Sequence, residues 1–416
     1  MMNQNPDKIF ATEVVRKLVD AGFEALWAGG CVRDELLGLN PADYDVATSA
    51  RPEQVRKIFP RTVAVGASFG VIEVIGPTLP SGKPLMIQVA TFRADLGYTD
   101  GRRPDAVRFC DAQEDALRRD FTINGMFFNP ISGSLVDYVG GQIDLKNRVL
   151  RAIGDANLRF TEDRLRMLRA VRLVPRFNLS LEENTRVAIL ANSPAIWTVS
   201  PERIAEELRK IFQHQSRSAG VGLFIELGLA KQILPEVFHS ETLHDYKNLM
   251  AVIKCLPLES SFPLVLAAIL QNLTIKQVDE ICRKFKLSNL ETGITHSLVL
   301  HRESLQEPEK LRLCEFKKLL AQPFVTDLLK LMGANRLSSG LDSKPVEYCL
   351  EKLNSWPREV LDPMPLVGGE DLKLLGLKPG PKFKQILDLI RDEQLDGILK
   401  IRPHALLRAE ELAKLL

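Results

Sequence analysis

The sequence predicts an α+β head built from a mixed sheet and helices, followed by an all-helical neck, body and tail. Two patterns carry this prediction. Short β-branched runs bounded by Gly and Pro recur over the first part of the chain, which is typical of sheet strands. Beyond about residue 150, Leu, Ala, Glu, Lys and Arg dominate with helical spacing, and we expect no further strand there.

The elements of the head can be placed in chain order. Apolar positions with helical spacing predict a first helix over 7–21. Strands are predicted where short apolar runs lie between turn residues, at 25–28, 44–47, 71–75 and 86–91. We expect the chain to divide into a head (1–140), a helical neck (141–216), a helical body (217–337) and a helical tail (338–416).

Length and composition describe a globular protein of several domains. The chain has 416 residues, and at ~150 residues per domain this corresponds to roughly three domains. Lys and Arg total 55 and Asp and Glu total 53, so the net charge of +2 excludes a uniformly basic nucleic-acid coat but permits a local basic surface. The six cysteines are scattered, and the N-terminus lacks a signal-peptide pattern. We therefore expect reduced thiols, a cytoplasmic location and no membrane span.

Asp43 and Asp45 are the first candidate functional residues. They flank Tyr44 at the start of a predicted strand, where residues i and i+2 point to the same face. Two neighbouring carboxylates repel each other, and a divalent cation is the usual means of offsetting that repulsion. A bare D-x-D pattern more often begins a turn, so its interpretation depends on the surrounding sequence.

A predicted strand, a double glycine and a predicted helix precede these aspartates. Gly29 and Gly30 let the backbone approach a ligand closely, and free N–H groups at a helix start attract phosphate. Arg33, in the first turn of the helix, adds a planar set of donors for phosphate oxygens. The G-x-x-x-x-G-K-[ST] and G-x-G-x-x-G phosphate motifs do not fit this loop. The combination indicates nucleotide–Mg²⁺ chemistry.

The pattern G-G-x-x-R-D followed by D-Y-D-V-A-T resembles the catalytic head of the polymerase-beta-like nucleotidyltransferases. In particular it resembles the bacterial and eukaryotic class of tRNA nucleotidyltransferases and their poly(A) polymerase relatives. Five further segments continue the resemblance in the family's order. They look like a strand, a flexible loop, a ribose-contacting motif, a nucleotide-selecting motif and a last neck motif, at 89–93, 100–104, 118–125, 162–166 and 200–208.

The resemblance implies a template-independent enzyme that adds CCA to the tRNA 3′ end from CTP and ATP, without an obligate protein partner. Asp43 and Asp45 would be catalytic and would hold two Mg²⁺ ions. The residues that the resemblance assigns to nucleotide binding are Gly29, Gly30, Arg33, Asp34, Arg119, Asp120, Asn124, Asp163, Arg166, Arg169 and Arg172. A glycine-containing turn in the tail, flanked by Lys378, Lys382 and Lys384, suits RNA phosphate, with a solvated hairpin as the alternative.

The nucleotide-selecting segment has a structural interpretation and a functional one. Structurally, Thr161 can cap a helix, with Glu162 and Asp163 in the first turn and a solvated basic face beyond. The arginines of that face recur at intervals of three, three and four: Arg166, Arg169, Arg172 and Arg176. Functionally, cytosine and adenine each show an amino donor beside a ring acceptor, and a neighbouring carboxylate and arginine match that pattern. The resemblance assigns this role to Asp163 and Arg166.

Departures from the family pattern leave alternatives open. Gln88 stands where many relatives carry a glutamate, so we expect no third carboxylate ligand there. The polar loop 93–104 has full length, and in the resembling family it is shortened or absent in enzymes that add only CC. An A-adding enzyme, a poly(A) polymerase and, from a different class, an inactive RNA-binding protein remain as alternatives, although the intact motifs argue against the last.

Overall fold

The computed structural model describes residues 5–66, 70–97, 106–239 and 243–415. The chain divides into two compact units, Met1–Leu243 and His244–Leu416. Within the described ranges, no helix is both long enough and apolar enough to cross a bilayer. The cysteines are free thiols, as expected, and Cys31, Cys282, Cys314 and Cys349 are buried.

A mixed sheet forms the centre of the first unit. The strands of the main sheet are β1 (Ala25–Ala28), β2 (Asp45–Thr48), β3 (Thr62–Gly66), β4 (Val71–Thr78), β5 (Pro84–Thr91), β8 (Phe127–Asn129) and β9 (Ser134–Val136). Two small additional pairs are formed by β6 (Arg93–Leu96) with β7 (Ala106–Phe109), and by β10 (Val149–Leu150) with β11 (Ser180–Leu181). In the described residues the main sheet has the order β3-β4-β5-β2-β1-β8-β9. Strands β2 and β5 are parallel, and the other neighbours are antiparallel.

The predicted α+β head is confirmed, and the four predicted strands correspond to β1, β2, β4 and β5. The expectation of no strand after about residue 150 is wrong at one place. Ser180–Leu181 pairs in parallel with Val149–Leu150. A two-residue strand is too short to show an alternating pattern, so its pairing depends on tertiary contacts.

Helices cover both faces of the sheet and continue beyond it. The helices of the first unit are α1 (Pro6–Asp20), α2 (Gly30–Leu36), α3 (Pro52–Ile58), α4 (Ala112–Leu117), α5 (Gly141–Lys146), α6 (Ala156–Glu162), α7 (Leu165–Arg176), α8 (Glu183–Asn192), α9 (Pro201–Phe212), α10 (Arg217–Glu226) and α11 (Leu229–Ile233). Asn5 caps α1 by accepting the Asp7 N–H. Phe10 occupies the space that Gly76 leaves, because a Cβ there would lie 2.6 Å from the ring. On the opposite face, α4 packs on a cluster that includes Leu26 and Ala28.

Helix α7 carries the nucleotide-selecting segment into the helical part of this unit. Met167, Leu168 and Val171 are fully buried and pack α7 against α9 and α10. Pro175 lies in the last turn, and the helix ends at Arg176. The helix is therefore held rigidly by its apolar residues, while its arginines extend from the other side.

The second unit is helical throughout its described residues. Its helices are α12 (Lys247–Cys255), α13 (Phe262–Leu270), α14 (Ile275–Lys284), α15 (Asn289–Leu300), α16 (Leu313–Leu320), α17 (Val325–Ser338), α18 (Lys344–Ser355), α19 (Arg358–Leu361), α20 (Gly369–Leu374), α21 (Pro381–Leu395) and α22 (Arg402–Leu415). Every residue of α13 is buried, and it packs against α12, α15 and α17. Leu372, Ile386 and Ala405 belong to a separate cluster that joins α20, α21 and α22.

Candidate functional site

A polar cleft of about 530 Å³ in the first unit collects most of the predicted site residues. Its lining residues are Gly29, Gly30, Arg33, Asp43, Asp45, Arg93, Asp95, Arg118, Arg119, Asp120, Asn124, Asp163, Arg166, Arg169, Arg172 and Leu173. Pockets of about 540 and 590 Å³ lie elsewhere in the same unit, so size does not distinguish this cleft. The cleft is distinguished by its many arginine and aspartate side chains, because such a lining suits a polyanion together with a cation.

The two aspartates meet at the start of β2. Strand β2 begins at Asp45, so Asp43 precedes the strand, and the expectation that both occupy one strand is corrected. Both nevertheless line the same cleft. Burial in the cleft and the neighbouring Asp43 charge raise the pKa of Asp45 to about 6, although Arg119 opposes the shift. The two carboxylates therefore repel each other, as the sequence predicts.

The donor set at this position fits a divalent cation. Carboxylate oxygens are the ligands that hard cations prefer, and a cation would relieve the repulsion that raises the Asp45 pKa. Gln88 lies directly opposite Asp45 in the β2–β5 register, and Glu73 lies opposite Gln88 one strand farther along. Among the described residues no group of three or more acidic, His or Cys side chains is arranged to hold a metal. Asp43 and Asp45 are thus a neighbouring pair of carboxylates in the cleft that could hold such a cation.

The double glycine brings the backbone and Arg33 close to the cleft. Gly29 has φ +75°, and a Cβ on it would lie 3.1 Å from Nη1 of Arg119, so both conformation and space favour glycine. Arg33 is 7% exposed, and its guanidinium stacks 4.1 Å above the Phe177 ring. Its Nε and Nη2 donate to Oδ1 of Asp34, and its Nη1 donates to Oδ1 of Asn124 at 2.6 Å. Each of the three guanidinium nitrogens of Arg33 therefore already donates a hydrogen bond to a protein group. Asp34 accepts two of these bonds but does not itself line the cleft.

Buried carboxylates orient the arginines of the ribose-contacting segment. Asp115 is 1% exposed and accepts from Arg118 and Arg119 on its two oxygens. Burial alone would raise the pKa of Asp115, but the charges of Arg119 and Arg118 outweigh burial and hold it below its ordinary value. Arg118 also donates to the backbone carbonyl of Arg93, at the base of the β6–β7 pair. Both arginines thus reach the cleft with fixed orientations.

Asp120 and Asn124 form a second buried pair in the same segment. Asn124 donates to Oδ1 of Asp120, and Nη2 of Arg169 lies 2.9 Å from Oδ2. Burial would raise the pKa of Asp120, but Arg169 and Arg166 outweigh it and lower the pKa. Despite that ion pair, Oδ2 of Asp120 and Nε of Arg169 are buried without a well-aligned hydrogen bond among the described residues. Such unsatisfied polar atoms in a cleft lining are suited to a bound polar ligand.

The nucleotide-selecting segment differs from the expected helix start. Thr161 lies inside α6, where its hydroxyl donates to the Asn157 carbonyl, so it does not cap a helix. Arg164 is the N-cap residue of α7, and Asp163, just before it, accepts the Leu165 N–H. Asp163 also accepts from Nη1 and Nη2 of Arg203 on α9, at 3.3 and 2.8 Å. The carboxylate is therefore held by a two-point contact rather than left free in a first turn.

Arg166, Arg169 and Arg172 of α7 are paired with carboxylates, whereas Arg176 is exposed. Arg166 is 8% exposed and donates to Glu162 and to the carbonyls of Arg159 and Arg118. Arg172 donates to Glu207, which is 4% exposed. The interpretation as a solvated basic face is therefore wrong for Arg166, Arg169 and Arg172, which bind acidic partners, and holds only for Arg176.

Several residues of this network were not predicted. Arg93, Asp95, Arg118 and Leu173 line the cleft beside the predicted residues. The acidic and basic partners that orient the lining are Asp115, Glu162, Arg203 and Glu207. Most of them lie inside segments that the sequence pattern identifies, but pairs such as Asp163–Arg203, forty residues apart, carry no local signal.

The remaining predicted positions belong to other segments of the chain. Lys378, Lys382 and Lys384 are exposed around the start of α21, in the second unit. The polar loop 93–104 begins with β6, and the structure describes it only through residue 97. Residues 98–105, including the segment 100–104, lie outside the described residues.

Family models match the two parts of the first unit. Residues 25–151 match the Poly A polymerase head domain, and residues 178–240 match the probable RNA and SrmB-binding site of polymerase A. Curated relatives match nearly the whole chain. The CCA-adding enzyme of Lactobacillus delbrueckii subsp. bulgaricus is 34% identical over 380 residues, which is 91% of each chain. That of Geobacillus thermodenitrificans is 31% identical over 392 residues, covering 93% of this chain and 92% of the relative.

Solved structures agree with these relatives. The crystal structure of the Bacillus stearothermophilus CCA-adding enzyme in complex with CTP superimposes with a TM-score of 0.78 at 26% identity and covers 99% of both chains. The Thermotoga maritima CCA-adding enzyme complexed with tRNA has a TM-score of 0.62 at 21% identity, covering 100% of this chain and 97% of that chain. At that identity the second likeness supports the fold alone.

Proposed function

Because the chain belongs to the family of CCA-adding enzymes, we propose that its cleft adds CCA to the 3′ end of tRNA from CTP and ATP, without a nucleic-acid template. The observation that carries the proposal is the convergence of two carboxylates and a set of oriented arginines in one cleft. A triphosphate and a divalent cation are the ligands that this lining suits. Since tRNA is the substrate, we place the reaction in the cytoplasm.

Asp43 and Asp45 bind the catalytic divalent cations in this proposal, with Mg²⁺ as the ion used. Bound there, Mg²⁺ supplies a Lewis acid that lowers the pKa of the RNA 3′-hydroxyl and neutralises charge on the triphosphate and the leaving pyrophosphate. Gly29 and Gly30 allow the triphosphate to approach the backbone. Arg33, held by Asp34, and the oriented Arg119 place positive charge beside the phosphates.

The ribose and base contact the other side of the cleft. Asp120 and Asn124 present polar groups to the ribose, and Arg169 and Arg172 add positive charge from α7. Asp163 accepts a hydrogen bond from the amino group that cytosine and adenine share, and Arg166 donates to the adjacent ring nitrogen. Guanine and uracil present an oxygen and an N–H at these positions, so each would face an unmatched group.

The division into four parts also belongs to this proposal. Residues 1–140 carry catalysis, 141–216 carry nucleotide selection, 217–337 support the RNA, and 338–416 bind it through Lys378, Lys382 and Lys384. Their exposed ammonium groups beside a turn are available to phosphate.

The test uses three tRNA substrates, ending at the discriminator base, after C and after CC. Each is incubated with the purified protein, Mg²⁺ and single nucleotides or mixtures, and the products are sized. With a mixture of CTP and ATP, we expect the tRNA ending at the discriminator base to gain three nucleotides, the one ending after C to gain two, and the one ending after CC to gain one. Extension of only the tRNA that ends in CC would identify an A-adding enzyme, long A tracts a poly(A) polymerase, and no product an inactive RNA-binding protein.

A further inference from the structure

Tyr44 lies between Asp43 and Asp45 in the chain, yet it lines a separate pocket of about 590 Å³ and not the cleft. The residue is 2% exposed, and its ring packs edge-on against Trp27 with the centroids 5.0 Å apart. Asp43 and Tyr44 precede the first ladder position of β2, which is the Ala28–Asp45 pair. Asp43 therefore lies outside the strand ladder, directly beside the packed Tyr44 side chain.

The hydroxyl of Tyr44 connects this segment to two helices. It donates a hydrogen bond to Glu35 on α2. Nζ of Lys8 on α1 lies 2.8 Å from each carboxylate oxygen of Glu35, and 5.7 Å from the centroid of the Trp27 ring. We name this set the Lys8–Glu35–Tyr44 network. It ties α1, α2 and the segment before β2 together on the side of the sheet opposite the aspartates.

We propose that the Lys8–Glu35–Tyr44 network holds Asp43 and Asp45 at the separation that a divalent cation requires, which makes Tyr44 a positioning residue. The inference rests on the proposed function, since it takes the two aspartates as the cation ligands. Without an anchor, repulsion between the two carboxylates would move the irregular segment that carries Asp43 away from Asp45. An anchor on the far side of the backbone resists that movement before the cation arrives, and such preorganisation increases affinity.

The test compares Tyr44→Phe with Tyr138→Phe. The first variant removes one hydroxyl and keeps the ring against Trp27, and the second makes the same chemical change at an exposed tyrosine of the same unit that does not line the cleft. The probe is Mn²⁺ alone, and its binding is followed through the electron paramagnetic resonance signal of the free ion. We expect the dissociation constant to rise about three- to tenfold in Tyr44→Phe, less than is common for groups bonded directly to a metal ligand. Tyr138→Phe should match the wild type.

Three further measurements separate positioning from simple packing and from failure of the proposed site. Glu35→Gln keeps an acceptor for the hydroxyl, so its Mn²⁺ affinity should stay near that of the wild type. The melting temperature of Tyr44→Phe should change little, because the ring remains packed. Asp43→Asn combined with Asp45→Asn should abolish binding; if it does not, the proposed metal site is wrong. If it does, but Tyr44→Phe binds Mn²⁺ as the wild type does, or Glu35→Gln weakens binding as much as Tyr44→Phe, the positioning role is overturned.

Discussion

At the scale of single residues, Asp120 is a buried carboxylate whose charge partners lie on α7. It is 6% exposed, and Arg169 and Arg166 outweigh its burial and lower its pKa below the ordinary 3.8. A carboxylate with a lowered pKa stabilises the folded state above its ordinary pKa, and that contribution is lost as the pH falls through the lower folded value. The cleft should therefore lose stability in acid because Asp120 must then take up a proton.

Replacing Asp120 with Asn should lower the free energy of unfolding by about 1–3 kcal/mol at neutral pH. The loss is smaller than for a fully buried pair because the Arg169 side chain is 39% exposed and water partly solvates its charge. The difference in unfolding free energy between the variant and the wild type should shrink as the pH falls below 3.8, because Asp120 of the wild type then takes up a proton and loses its charge. Urea unfolding across pH, with the exposed Asp388→Asn as control, measures the difference. A deficit independent of pH would contradict the electrostatic explanation.

Asp163 is the residue on which base choice should depend. Asp163→Asn keeps the side-chain size but replaces a pure acceptor with a group that can also donate, so uracil gains a partner for its oxygen. We expect discrimination against UTP to fall by roughly 1–3 kcal/mol, about 5- to 150-fold. The measurement is the ratio of kcat/KM for CTP and UTP on tRNA that lacks CCA.

The matched control for Asp163→Asn is Arg203→Lys. It keeps a positive charge near Asp163 but removes the two-point contact of Nη1 and Nη2. We expect a smaller loss of discrimination than in Asp163→Asn. If Asp163→Asn leaves the choice among the four nucleotides unchanged, the carboxylate acts only in holding Arg203 and the start of α7.

At the scale of elements, the sequence predicted those helices and strands whose local pattern is long or regular. The first helix and the strands β1, β2, β4 and β5 are long or regular enough to predict. The β6–β7 pair and the short β10–β11 pair depend on partners distant in the chain, which periodicity does not reveal. The same distinction holds in the cleft. Residue types and spacing identified Asp43 and Asp45 as candidates, and the family resemblance added Asp163, but neither indicated that Arg203 would hold Asp163.

The contact between α5 and the turn Thr122–Asn124 gives a prediction about packing. A Cβ on Gly141 would lie 2.2 Å from the Thr122 carbonyl oxygen, so Gly141→Ala must displace the turn that carries Asn124. We expect a loss of about 1–3 kcal/mol in the free energy of unfolding and weaker nucleotide binding.

Gly293→Ala is the matched control for Gly141→Ala, because Gly293 lies in α15 with open space around it. It should stabilise the protein by about 0.5–1 kcal/mol. Thermal unfolding of the two variants should shift in opposite directions. Equal shifts would show that the close approach at Gly141 is not restrictive.

At the scale of the whole molecule, we expect the binding of RNA and the binding of nucleotide to depend on different residues. Replacing Lys378, Lys382 and Lys384 together with Ala should weaken tRNA binding and reduce its salt dependence, by roughly one unit in slope for each RNA phosphate that the lysines no longer neutralise. Arginine at the same positions keeps the charge and should retain the affinity. CTP binding should be unchanged in both variants. Unaltered tRNA affinity in the alanine variant would identify the tail turn as a solvated hairpin.

The lining of the cleft has a consequence for the form in which nucleotide arrives. Among the described residues, seven arginines face five aspartates there, so the walls carry an excess of two positive charges. A free nucleoside triphosphate carries about four negative charges, and one bound divalent cation reduces them to about two. Removing divalent ions with EDTA should therefore weaken equilibrium binding of CTP itself, apart from stopping the reaction. Electroneutrality then selects the metal–nucleotide complex over the bare anion, so that substrate and cation enter as one species.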